Sequence, residues 1–129
     1  MDYLYFLANA SLTLRVIEYL NKHSSLSVSS MTVIHQIDGW ILRLKFPRAL
    51  TPQQHGDLVA YMQELGIAYE PVARLQMVFW GLDNGQSPVE MMQKYKIAII
   101  SHGRPNAKEI EAFREQFTKG LGYCPETLA

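Results

Sequence analysis

Residues 31–46 constrain this chain more than any other stretch, because they can be paired across a turn from the sequence alone. Asp38-Gly39 stands between two runs of alternating polarity, and a two-residue Asp-Gly loop favours the type I′ turn of a tight β-hairpin. Strands over 31–37 and 40–46 then set Ile37 against Trp40, His35 against Leu42 and Val33 against Leu44. Side chains alternate across a sheet, so Trp40, Leu42, Leu44 and Phe46 share a face with Met31, Val33, His35 and Ile37. Arg43 and Lys45 point the other way, beside Thr32 and Gln36.

The segments around this hairpin read as follows. Over residues 3–22, Leu7, Ala10, Leu14 and Ile17 recur at helical spacing beside a polar stripe of Ser11, Arg15, Glu18 and Lys22, which predicts one long helix. A rival reading makes Leu12, Leu14 and Val16 a strand paired back onto residues 3–7. After the hairpin, Pro47 stops the second strand. Thr51-Pro52-Gln53-Gln54 carries a cap, a first-position proline and a capping-box glutamine, which opens a helix over 52–65, with Gly66 as its left-handed terminator. Residues 67–80 are rich in aromatic and β-branched side chains and are read as strand, although Pro71, Val72, Leu75, Phe79 and Leu82 also fit a helix. Ser87-Pro88-Val89-Glu90 opens a helix over 88–95. The apolar run 97–100 suits a strand buried on both faces. Asn106 with Glu109 caps a last helix over 107–119, ended by Gly120. Helices interleaved with a hairpin-begun, mixed or antiparallel sheet predict a two-layer α+β sandwich, formed by a single domain over 1–129.

Bulk properties narrow the function classes. A hydrophobic content of 48% with 19% charged residues is that of a folded globular chain. Formal net charge is zero, so no global field gathers nucleic acid or membrane phosphate, and neither partner is expected. The single cysteine, Cys124, excludes an intrachain disulfide framework and suits a cytoplasmic, reducing location. The apolar start lacks a basic flank and is too short for a secretory leader, and no stretch reaches the length of a membrane span. His23, His35, His55 and His102 have no metal-ligand spacing, so no metal and no cofactor are expected. Cys124 has no base near it in sequence and no serine sits in a Gly-x-Ser-x-Gly elbow, so no catalytic residue is assigned.

Chemistry concentrates most in residues 101–106. There Ser101, His102, Gly103, Arg104 and Asn106 follow a strand and precede a helix, the place where open sheets tend to bind ligands. Helix amides, the approach allowed by Gly103, the fork of Arg104 and the titratable His102 together suit a phosphate or carboxylate. The plainer reading is a shaped connection with Asn106 as cap. His35, placed among apolar neighbours, is either a base kept neutral by burial or a packed histidine bonded to one carbonyl. Arg43 and Lys45 form a candidate interaction surface for a nucleic-acid backbone or an acidic partner; the plainer readings are charges that guard an exposed sheet against edge pairing, or a face partly covered by a helix with long side chains reaching out. Met62, Met77, Met91 and Met92, with Trp80 and Tyr95, give the second half of the chain a soft character suited to partner helices or to core. These features predict a non-catalytic regulatory or assembly factor acting through a protein partner or self-association. The alternative is a small-ligand sensor or small enzyme with its site in residues 101–106.

Overall fold

The computed structural model describes residues 2–129. Its strands are β1 (Asp2–Leu7), β2 (Ser30–Gln36), β3 (Gly39–Lys45), β4 (Gly66–Ala68) and β5 (Ala98–Gly103). Its helices are α1 (Ala10–Lys22), α2 (Pro52–Leu65), α3 (Ala73–Asp83), α4 (Pro88–Tyr95) and α5 (Ala107–Leu121), followed by a 3-10 turn, Glu126–Leu128. The strands form one antiparallel sheet in the order β4-β1-β3-β2-β5. The α+β class and the hairpin itself are those expected from the sequence, but β1 and not the hairpin begins the sheet, and the hairpin lies inside it.

The hairpin turns one residue earlier than the Asp-Gly signal implies. Gln36 pairs with Gly39, His35 with Trp40, Val33 with Leu42 and Met31 with Leu44, which leaves Ile37 and Asp38 as the loop. Neither loop residue has a positive φ, so the turn is not of the primed type that Asp-Gly usually makes. Gly39 serves another purpose. A Cβ there would lie 2.7 Å from the Leu7 carbonyl oxygen and closer still to the Phe6 ring. Relative to the expected pairing each partner moves by two residues, an even slip, so every paired side chain keeps its predicted face, while Ile37, expected on the core face, stands exposed in the loop.

Trp40, Leu42, Leu44, Met31 and Val33 meet Tyr3, Tyr5 and Leu7 of β1 on the face packed by α1, α2 and α5. This is the main sandwich. Leu128 of the terminal turn is fully buried in the same core, and the Trp40 indole donates to the Thr127 carbonyl at 2.6 Å. The opposite face holds a smaller cluster, where Ile34, Ile41 and Ile99 lie under Leu75, Val78, Phe79 and Leu82 of α3 and Met91 of α4.

The last helix runs through Gly120 and is ended instead by Gly122, in the left-handed conformation that glycine adopts without strain, and two further elements differ more deeply from expectation. The helix predicted over 3–22 begins at Ala10, because the Asn9 side chain accepts from the Leu12 amide and caps it there. Residues 2–7 are strand, held between β3 and β4. With cover on both faces, that strand shows a continuous apolar run instead of an alternation. The strand predicted over 67–80 is only three residues of β4 followed by α3. Leu75, Val78, Phe79 and Leu82 follow the i, i+3, i+4, i+7 pattern and face the sheet; this packing overrides the strand propensity of the aromatic residues. Gly66 is extended, with φ −161°, and not left-handed. It is a glycine because a Cβ would strike the Phe6 carbonyl and the Leu7 side chain.

Candidate functional site

The alternation that sends Trp40 and Leu42 into the main core sends Arg43 and Lys45 to the α3 side of the sheet. Arg43 is only 2% exposed there. Its two terminal nitrogens donate to the two carboxylate oxygens of Asp83, at 2.9 and 2.8 Å, the bidentate fit of a guanidinium to a carboxylate. Lys45 adds a third bond to Asp83 at 3.2 Å, and the Phe79 ring lies 4.8 Å from the Arg43 guanidinium carbon. The Asp2 carboxylate stands 3.7 Å from Arg43. Burial alone would raise the Asp83 pKa, but the bonds and charges of Arg43 and Lys45 overrule it and hold the carboxyl below its ordinary range. The last residue of α3 is thereby fastened to β3. Asp83 carried no sequence signal beyond its place in an Asp-Asn-Gly turn.

The same cluster reaches β5. Thr32 pairs with Arg43 on one side and with His102 on the other, and the Thr32 hydroxyl lies 2.8 Å from His102 Nδ1. His102 has its pKa lowered, first by burial and then by the Arg43 and Lys45 charges, with Asp83 opposing them. Two groups that the sequence placed in separate candidate sites, His102 and the Arg43–Lys45 pair, thus share one row of the sheet.

The rest of residues 101–106 disperses. Ser101 and His102 are strand residues on opposite faces: Ser101 is buried and donates to Glu109 of α5 at 3.3 Å. Gly103 ends β5 with φ 133°. Arg104 is exposed, and Asn106 caps α5 by accepting from the Lys108 amide at 2.9 Å. A bulge between Val33 and Ile34 leaves Ile100 without a partner in β2, so β5 is an irregular edge strand.

His35 lies in an aromatic group, with ring centroids 4.9 Å from Trp40, 5.1 Å from Phe113 and 5.8 Å from Phe117. Burial lowers its pKa, and its Nε2 is buried with no hydrogen-bond partner. Among the described residues, no group of three or more His, Cys, Asp or Glu side chains is placed to hold a metal ion, and no helix is long and apolar enough to cross a membrane.

The outward side of α3 is the opposite of its clamped side. Trp80 is 59% exposed and Met77 48% exposed, three residues apart on one stripe of the helix. Val72 just before α3 is exposed, as is Ile67, which pairs with Phe6 and so stands on the α3 side of the β4 edge. Met62 and Met91, by contrast, are core. The sequence named Met77 and Trp80 among its soft residues, but the strand reading of 67–80 hid which of them face outward.

Comparison with known proteins finds no matching family model, and no curated protein or solved structure that matches the chain.

Proposed function

We propose that this chain is a non-catalytic regulatory or assembly factor of the cytoplasm that binds protein, a second copy of itself included, through the outward side of α3. The observation that carries this reading is the exposure of Trp80 and Met77 on a helix whose other side is fixed by Leu75, Val78, Phe79 and the Asp83–Arg43 pair. Tryptophan and methionine are enriched in protein interfaces, and large apolar groups held on a rigid element lose little freedom when covered. Val72 and Ile67 extend the apolar character beside them.

The test pairs sedimentation velocity over a wide concentration range with photo-crosslinking from a probe residue at Gln76, beside Met77. Concentration-dependent association or a discrete crosslinked product, lost in Met77→Glu/Trp80→Glu, is the expected result. Both residues are exposed, so the double substitution should alter stability by no more than about 1 kcal/mol. A chain that stays monomeric and gives no discrete crosslink overturns the reading, as does association that the double variant leaves intact.

A further inference from the structure

A pocket of about 530 Å³ opens where the β2–β3 turn, the start of α3 and the start of β5 meet. It is lined by His35, Asp38, Arg74 and Lys96, among others. We propose that this pocket binds a small oxyanion, a carboxylate or phosphate group, between Arg74 and Lys96.

Two observations converge on it. First, the two permanent cations stand against one carboxylate, Asp38, and among the described residues neither Arg74 nor Lys96 has an ion-pair partner within 4.0 Å. An arginine fork and a lysine ammonium on one concave surface match the flat and point-like demands of an oxyanion. Arg74 is the second residue of α3, and Val72, in the cap position, offers no side-chain acceptor to the first-turn amides, so the positive end of that helix adds to the field.

Second, Lys96 ends α4 in the left-handed conformation, φ 56° and ψ 52°. Among the described residues it is the one non-glycine with a positive φ. Glycine or asparagine caps a helix there with less strain, and strained residues tend to gather at binding sites. A lysine here also meets the negative end of the α4 dipole, and the same residue lines the pocket.

The pocket volume suits a small metabolite and exceeds what a single inorganic ion needs. Arg74 stands one turn before Met77 on α3, but the anion site does not rest on the reading of the outward stripe.

The experiment titrates the intact chain with inorganic phosphate and, in a second arm, succinate, at constant ionic strength set by chloride. Backbone amide spectra report the location, and melting temperature reports the linkage. Saturable shifts confined to residues 35–38, 73–75 and 96–98 are expected in at least one arm, and the arm that saturates identifies the anion class. Arg74→Gln should weaken binding about tenfold, the usual scale for losing one charge-assisted contact. Lys96→Gly separates site from scaffold. It should weaken binding by a similar factor while leaving the melting temperature unchanged or higher, because glycine accepts the left-handed backbone. Failure of both anions to saturate overturns the proposal. So does a Lys96→Gly variant that binds as tightly as its parent.

Discussion

At Arg43 a guanidinium is withdrawn from water in a sheet that is otherwise apolar at its centre, and the Asp83 carboxylate, with Asp2 farther off, makes that tolerable. Its Nε has no partner, so Asp83 carries most of the compensation through two short bonds. Removing one member of a buried pair leaves the other charge stranded, whereas replacing both with apolar groups often restores stability. Asp83→Ala should therefore cost about 2–3 kcal/mol, toward the low end for such pairs because the aspartate keeps part of its surface in water. Arg43→Met/Asp83→Ala should recover more than half of that loss. Urea unfolding of the three variants gives the answer, and a double variant no better than the single one would show that Asp83 acts on something other than Arg43. None of this pairing was legible in the sequence. A cation on one strand does not announce an acid forty positions later, and the Asp83-Asn84-Gly85 stretch advertises only a turn.

At the level of elements, legibility followed the strength of local chemistry. The helices opened by Thr51-Pro52 and Ser87-Pro88 begin where their caps predict, since side chain and proline act within one turn of the chain. Elements fixed by distant contacts were misread. β1 resembles helix because both its faces are buried, and residues 73–83 resemble strand because their aromatic content outweighs a four-residue helical stripe. Gly39 and Gly66 look like turn punctuation, yet both are required by the close approach of β1. That approach is testable. Gly39→Ala forces a methyl group onto the Leu7 carbonyl, and should cost about 1–3 kcal/mol, the usual scale of overpacking. Chemical denaturation measures it. A variant as stable as the parent would mean that the end of β1 can shift aside.

For the molecule as a whole, the two faces of the sheet impose one pH signature. His35 on the α5 side and His102 on the α3 side both have pKa values held below the ordinary histidine range, each chiefly by burial. The unfolded chain accepts a proton at these positions at a higher pH than the folded chain does. Stability is therefore fully present above the ordinary value of about 6.5 and declines as pH falls below it. Asp83, with its pKa held down, works in the same direction lower on the scale, where its contribution is lost on protonation. Unfolding free energy should be flat from pH 7 to 8 and fall between pH 6.5 and 5, with a shallower slope in His35→Phe. A profile that is level through pH 5 in the parent chain would remove burial as the force acting on both rings.

The seating of Leu128 and the bond from Trp40 to the Thr127 carbonyl bear on the order of events at the ribosome. Trp40 and Thr127 are 87 positions apart, so the central hairpin leaves the exit tunnel well before the wall that seals its tryptophan. A nascent chain must therefore hold that indole only partly sheltered until that wall emerges. Chaperone capture would be most productive in that interval, before the 3-10 turn emerges.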